Sequence, residues 1–385
     1  MGVMNPTSTT LLPGASWTIL GLMSGTSADG TDAAMIRVDP AAFEGGNPFL
    51  EFLGHHHLPY PADLREAVLA AAADALMPSE LCVLQRRLGE CHAAAGLALT
   101  QELGIRPHFA SLHGQTVQHR PEAAATLQLA DPYLLSEALE CPVVWDLRRR
   151  DMALGGQGAP LVPMTELWLH GRTHPWAALN LGGIANITTW DGRQTQAWDL
   201  GPAMSLLDLA AQRWLGLPFD PEGAHASGEI ASERLGHWLA HPYFQVPPPK
   251  STGREAFGAA WLEAEASGLE RLPLEGRLAT LAAFTAEACA REMGRWGNPL
   301  PMGSPLWVSG GGIRHARLRK ELAARLPDFR MEEDQTFPSG SREAVSWALL
   351  GAASAAGSPG NIPSVTGARR PGILGSWTLG HPGKG

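Results

Sequence analysis

Apolar residues in this chain come in short runs that stop at small or acidic residues. Residues 17–23 form one such run, and an alternating apolar and polar run covers 31–38. Between them lies a turn of small and hydroxylated residues, Ser24, Gly25, Thr26, Ser27 and Gly30, so the pattern predicts a β-hairpin. A strand is expected near 49–52, followed by helical spacing over 63–77 and 79–103. Short apolar strands follow at 109–112, ending in His113-Gly114-Gln115-Thr116, and at 126–130, ending at Asp131. A helix over 134–139 and a strand over 143–145 complete the first cycle.

A second cycle then begins. Strands are expected at 176–181 and 184–190 around Gly182-Gly183, and at 194–198 after an Asp191-Gly192 turn, ending at Asp199. Helices follow at 204–215, 228–239 and 278–296. A strand at 306–308 enters Ser309-Gly310-Gly311-Gly312, and helices close the chain at 316–326 and 342–356. Residues before about Ser16 read as a loose leader. A hairpin with a glycine turn thus appears twice, each followed by strands and helices. This order predicts two α/β domains related by duplication, with a ligand in the cleft between them.

Composition narrows the partners. At 385 residues the chain is long for one core, which also favours two domains. A net charge of −9 argues against general binding to nucleic acid or anionic membranes. The basic runs at 148–150 and 314–320 are too local to change that. Cys82, Cys91, Cys141 and Cys289 lack metal-type spacing and are too few for a disulfide framework, so they read as reduced thiols of a cytosolic protein. The N-terminus shows no signal-peptide pattern, and Pro6 breaks the myristoylation pattern. No apolar run is long enough to span a bilayer, so a soluble protein is expected.

The glycine turns carry the candidate chemistry. In the first, Gly25, Thr26, Ser27, Ala28, Asp29, Gly30, Thr31 and Asp32 offer close backbone approach, N–H groups and hydroxyls to phosphate oxygens. Asp29 and Asp32 are placed to orient a metal ion or its waters. Asn180, Gly182, Gly183 and Asn186 form a candidate opposing phosphate clamp. Gly310, Gly311 and Gly312 read as strand, glycine turn and helix, with the helix N-terminus adding positive potential. Residues 154–160 make a fourth turn after the arginine run. No Walker A pattern occurs, and no dehydrogenase-type fingerprint stands out. Taken singly, each turn reads better as a core-packing turn.

Taken together they are specific. GLMSGTSADGTD, HGQTVQHRP, TLQLAD, DLRRRDMALGGQGAPLVP, NLGGIANIT, DLGPAMSLLD, PKSTGREAFG, VSGGG and NIPSVTGA occur in that order. This series resembles the anhydro-N-acetylmuramic acid kinase family of the actin-like kinase superfamily, over about 19–374. The resemblance implies a duplicated actin-like (ribonuclease H-like) α/β fold with an interdomain active-site cleft. The first domain would hold 17–150 plus 342–375, with the first phosphate loop and part of the sugar site. The second would hold 151–341, with the second phosphate loop, the base and the adenosine loop. It further implies ATP and Mg2+, a homodimer, and a reaction in peptidoglycan recycling. In that reaction water opens the 1,6-anhydro bond while ATP phosphorylates the freed O6, giving N-acetylmuramic acid 6-phosphate.

On this match Asp199 is the base that activates water; without it, an aspartate after a strand is an ordinary turn or cap residue. The family shows Thr, then Gly or Ala, then Asn where this chain has Leu200, Ala203 and Met204, which removes polar groups near the base. At least one of Arg148, Arg149 and Arg150 is expected on the substrate carboxylate or a phosphate. Asp131 and Asp151 instead satisfy these arginines in a purely structural reading. Asp131, Arg148, Arg149, Gln115 and Thr116 are the candidate sugar contacts, whereas His113 and His119 read equally as structural. His55, His56 and His57 cannot all ligate one ion, because neighbours on a strand face opposite ways. Thr252 and Glu255 have capping-box spacing, with a mobile lid as the alternative for that segment. Two other functions stay open: an actin-fold kinase or ATPase with a different small substrate, and an inactive nucleotide-binding regulator.

Overall fold

A computed structural model describes residues 16–39, 43, 50–338 and 340–378. The expected leader and the start of the strand expected at 49–52 lie outside these residues. Two compact units emerge, Met1–Gly171 with Gly340–Gly385, and Arg172–Ser339.

The first unit is built on a sheet that opens with an antiparallel meander of β1 (Trp17–Ser24), β2 (Gly30–Val38) and β3 (Leu50–Pro59). β4 (Phe109–Arg120) runs parallel to β1, β5 (Ala125–Leu129) folds back on β4, and β6 (Val143–Trp145) lies parallel to β4. β1 is a continuous apolar run because both its faces are covered. Leu20 and Leu22 join Ala95 and Leu99 of the helix Pro78–Leu103 in one cluster. Gly21 faces the other way, and a Cβ there would lie 2.0 Å from the Ala344 carbonyl oxygen in the helix Arg342–Ala355.

Two expectations change here. β3 extends through the three histidines to Pro59. His113-Gly114-Gln115-Thr116 is not the end of a strand but the middle of β4, because β5 pairs with it through Gln115 opposite Leu129 and Thr116 opposite Gln128. Two helices had no periodic signal, being too short to show one: Leu147–Ala153, which carries the arginines, and Val162–His170.

The second unit repeats the plan. β7 (Trp176–Leu181), β8 (Ile184–Trp190) and β9 (Thr195–Pro202) form an antiparallel meander. β10 (Pro305–Ser309) lies parallel to β7, and β11 (Arg330–Glu333), a strand too polar to read from pattern, lies parallel to β10. The helix Leu274–Trp296 contributes Leu278, Leu281, Phe284 and Cys289 to a core shared with Leu179, Ile187 and Trp198 of the sheet.

The chain then returns to the first unit, where β12 (Ser376–Trp377) pairs with β6. The strand orders are therefore β12-β6-β4-β1-β2-β3 and β11-β10-β7-β8-β9. With β5 and β12 set aside as additions to the first sheet, each sheet reads third, second, first, fourth and last strand of its own cycle, with the same parallel and antiparallel senses. This is the duplicated actin-like, ribonuclease H-like α/β fold. The first unit runs on to Gly171 rather than to residue 150, because Val162–His170 packs on Arg342–Ala355, with a Thr165 to Ser346 hydroxyl bond of 3.0 Å. No helix among the described residues is long and apolar enough to cross a membrane.

Candidate active site

In the first unit the loop between β1 and β2 is braced from beneath. Ser24 Oγ, buried, accepts from Tyr60 Oη at 2.7 Å and lies 3.2 Å from both Thr31 Oγ1 and His92 Nε2. Burial pushes the Tyr60 phenol up to about 12 and the His92 imidazole down to about 4, so both stay neutral near pH 7. The hydroxyls of Ser24 and Thr31, expected to face phosphate, are instead spent in this network. What remains outward is Thr26, Ser27 and Asp29, with Ala28 in a left-handed conformation at φ 53°. Gln115 donates from Nε2 to the Gly25 carbonyl at 3.0 Å and so ties the loop to β4. Its Oε1 is buried without a hydrogen-bond partner among the described residues.

Asp32 stands between two imidazoles. His55 Nε2 and His57 Nδ1 each lie 2.9 Å from Asp32 Oδ1, while His56, on the opposite face of β3, reaches Glu102 at 2.8 Å. Glu343, in the first turn of Arg342–Ala355, is a neighbour that no motif pointed to. Enclosure by the surrounding protein, and then the charge of Asp32, hold its carboxyl above the usual range, while Arg148 opposes them.

The arginines separate. Arg148 donates to His113 Nε2 and to the Gly158 carbonyl, both at 3.0 Å, and its guanidinium lies 5.2 Å from the Trp347 ring. Burial lowers its pKa to about 10, which leaves it cationic near neutral pH; burial of His113, and then the charge of Arg148, hold that imidazole well below its usual value. Arg149 is exposed and pairs with Asp146 at 2.7 Å. Neither carboxylate expected to satisfy these arginines bonds to them. Asp131 caps the helix Pro132–Leu139 by accepting from Leu134 N, and Asp151 is buried among Gly158 N, Asn361 Nδ2 and Thr366 Oγ1. The turn at 154–160 thus wraps a carboxylate, and a Cβ on Gly156 would lie 2.2 Å from Asp151 Oδ2. Thr116 Oγ1 accepts from Gln128 Nε2 at 3.2 Å.

The second unit gathers its candidates by strand register. Ser309 pairs with Asn180, Asn180 with Asn186, and Asn186 with Asp199 across β10, β7, β8 and β9. Cross-strand partners share a face, so four polar residues form one row. Asp199 does not end its strand, since β9 continues to Pro202. Its neighbour Leu200 is the extra residue of a bulge and is fully buried in the core, with Met204 packed against the same cluster. Leu200 therefore takes no polar group from the Asp199 side of the sheet.

Asp199 is held at three atoms. Thr252 N donates to Oδ2 at 2.9 Å, the Lys250 carbonyl accepts from Asp199 N at 3.3 Å, and Tyr243 Oη donates to the Asp199 carbonyl at 2.5 Å. Burial pushes the carboxyl up to about 6; Glu255 adds to the rise, and the Thr252 N–H opposes it. The capping box expected of Thr252 and Glu255 does not form. The short helix Arg254–Phe257 has no side-chain cap, because the Thr252 backbone is turned to Asp199. Asp208, one helix away on Met204–Leu215, was also missed. Burial raises it to about 6 against Arg254, and its Oδ1 is buried without a hydrogen-bond partner among the described residues.

The two glycine turns of this unit differ. The Gly182 and Gly183 carbonyls accept from the N–H groups of Ala203, Met204 and Ser205, which fixes the clamp to the start of that helix. A Cβ at Gly310, φ 86°, would meet Leu181 O at 2.7 Å, whereas Gly311 has nothing within 4 Å. The helix Ala316–Arg325 starts only after a further turn and is capped by His315, so its N-terminus is not at the glycines.

The family profile described as anhydro-N-acetylmuramic acid kinase matches residues 17–380. The chain belongs to the anhydro-N-acetylmuramic acid kinase family. Relatives bearing that name include one from Synechococcus sp. (strain CC9311), 38% identical over 388 residues, covering 93% of this chain and 98% of the relative. Those from Streptomyces avermitilis and Rhodococcus erythropolis are each 40% identical, over 376 and 390 residues, covering 95% of both chains.

The residues present fit what a kinase of this family binds. Gly25 and Gly311 leave open the space that a Cβ would fill, as close backbone approach to a nucleotide requires. Among the described residues no three His, Cys, Asp or Glu side chains cluster tightly enough to cage a metal ion. A hard cation kept mostly by water and phosphate, with one or two carboxylates beyond, suits Asp29 and Asp32.

Proposed function

We propose that this chain uses ATP to open the 1,6-anhydro ring of anhydro-N-acetylmuramic acid and phosphorylate O6, with Asp199 as the base. The observation that carries this reading is Asp199, held at its backbone N, its carbonyl oxygen and Oδ2, with a carboxyl that burial pushes up to about 6, near the pH where a base works best. Asp199 takes a proton from water as the water oxygen bonds to C1. The C1–O6 bond breaks, O6 bonds to the γ-phosphorus, and ADP leaves. The products are N-acetylmuramic acid 6-phosphate and ADP.

Residues 25–32 cradle the β- and γ-phosphates, with Gln115 keeping Gly25 in place. Asn180, Gly182, Gly183 and Asn186 form a second phosphate clamp, and Gly310, Gly311 and Gly312 line the adenosine. Arg148, neutralised by no short carboxylate bond, takes the lactyl carboxylate, assisted by Gln115 and Thr116. Asp131 acts as a helix cap at the edge of that group, and Arg149 stays with Asp146. Magnesium, held through water by Asp29 and Asp32, supplies neutralisation of charge on the transferring phosphoryl group. The protein works as a homodimer in the cytoplasm; the family resemblance supports the dimer, and four free cysteines support the compartment.

Neither carboxylate beside the arginines is available as a general acid for O6. Asp131 is a cap and Asp151 is enclosed by amide and hydroxyl donors. An uncompensated alkoxide is high in energy, so O6 departs only as it meets the γ-phosphoryl group. Anhydro-sugar incubated with enzyme and magnesium in ¹⁸O-water should therefore stay closed without ATP. With ATP, mass spectrometry should show the 6-phosphate carrying one solvent oxygen. Ring-opened, unphosphorylated sugar formed without nucleotide at a rate comparable to turnover would refute the fused reaction. Turnover of a different sugar, or of none, would overturn the substrate assignment.

A further inference from the structure

We propose that Lys250 is a positioning residue whose buried ion pair with Glu292 fixes the segment that aims the Thr252 N–H at Asp199. Lys250 Nζ lies 2.6 Å from Glu292 Oε2, and the two side chains are 5% and 0% exposed. Nζ also donates to the Tyr243 carbonyl at 3.1 Å and sits 4.5 Å from the Tyr243 ring and 5.9 Å from the Trp296 ring. Glu292 belongs to Leu274–Trp296, a helix whose core includes Trp198, the residue before Asp199. One end of the segment is thus pinned inside the unit.

The other end meets the catalytic carboxylate. The Lys250 carbonyl accepts from Asp199 N, Thr252 N donates to Asp199 Oδ2 two residues later, and Tyr243 Oη reaches the Asp199 carbonyl. All three bonds come from the stretch that Lys250 anchors. A buried ion pair is poor evidence for stability, because apolar residues of similar size often do as well. Its retention here has another explanation. An ammonium that pairs with the charge of Glu292 and donates to the Tyr243 carbonyl sets the path of residues 243–252 more narrowly than packing alone.

The chemical consequence lies in the acidity of Asp199. Its carboxylate is stabilised by the Thr252 N–H, opposed by burial and by Glu255. The charged and titratable groups around the anchor are Tyr243, Glu292 and Arg295, with Asp199 itself acting on Tyr243. If the segment drifts, the N–H is lost, the carboxyl titrates higher, and the base is protonated over more of the working range.

The proposal rests on Asp199 being the base, so Asp199→Asn is measured alongside. The readout is the pH profile of kcat/KM for the anhydro-sugar, with thermal melting and ATP affinity as companions. Lys250→Met should move the acid limb up by roughly one pH unit, the size expected for losing one hydrogen bond to a charged acceptor. ATP affinity should not change. Lys250→Met also leaves Glu292 unpaired; should it fail to fold, Lys250→Met with Glu292→Leu carries the test. That double variant should melt near wild type yet keep the raised acid limb, and Thr252→Pro, which deletes the donor, should reproduce the shift. A folded double variant with an unmoved limb and wild-type kcat would overturn the role of Lys250. If instead Asp199→Asn retains turnover, it is the base assignment that fails.

Discussion

Asp199→Asn should abolish turnover and leave ATP binding largely intact. The amide keeps the size of the carboxylate and an oxygen to accept from Thr252 N, so the three bonds that hold the residue survive in form. What disappears is the site that receives a proton from water. Loss of a general base costs on the order of 10² to 10⁴-fold in rate. The same reasoning sets the pH dependence. The base works only when ionised, and its carboxyl has been pushed up to about 6. Activity should therefore be full well above that pH and fall about tenfold per unit below it. Turnover followed by ADP release, with calorimetry for ATP, checks both statements. Near-wild-type turnover by folded Asp199→Asn, or a profile flat through pH 5, would remove Asp199 from the role.

Much of the fold was legible because period and punctuation agree in the core strands. Residues 17–38 and 176–198 alternate or run apolar and stop at glycine or aspartate, and their pairings follow. What escaped was decided by partners distant in sequence. The centre of β4 is polar and contains a glycine, so pairing with β5 on one side and the end of β1 on the other makes it a strand. β11 is charged along its length and is held by β10. Among site residues, Asp199 is legible by resemblance, but its support is not: nothing local in Lys250 or Thr252 says that their backbones turn toward β9. Thr252 and Glu255 have capping-box spacing, yet the Thr252 backbone bond goes to Asp199. Ser24 and Thr31 carry the chemistry of a phosphate loop, but Tyr60 and His92 engage their hydroxyls from beneath. The departure at Leu200 follows from a bulge: Leu200 is the extra residue between Asp199, opposite Asn186, and Gly201, opposite Ala185, and its side chain lies in the core.

Valine at Gly25 or at Gly311 should cripple nucleotide binding while leaving the free protein folded. The prediction turns on which glycines are needed by the chain and which by the ligand. At Gly310 the backbone has φ 86°, and an added Cβ would sit 2.7 Å from Leu181 O, so the chain itself demands glycine. With ψ at 170° that conformation lies in a region essentially reserved for glycine, so a side chain is strained there before the clash is counted. Neither constraint applies at the other two positions. A Cβ at Gly25 meets only Ser27 Oγ at 3.5 Å, an ordinary contact, and one at Gly311 meets nothing within 4 Å. Both turns nevertheless keep the smallest residue, as expected where a ligand lies against the backbone. The valine methyl groups would fill that space. A loss of about 100-fold in affinity, or about 2.7 kcal/mol, is expected from each. Calorimetric titration with a nonhydrolysable ATP analogue, paired with thermal melting, separates the cases. Gly310→Val should lower the melting temperature; Gly25→Val and Gly311→Val should melt close to wild type and bind poorly. Each is an independent test of its own turn, and wild-type affinity in a folded variant would reduce that turn to a packing feature.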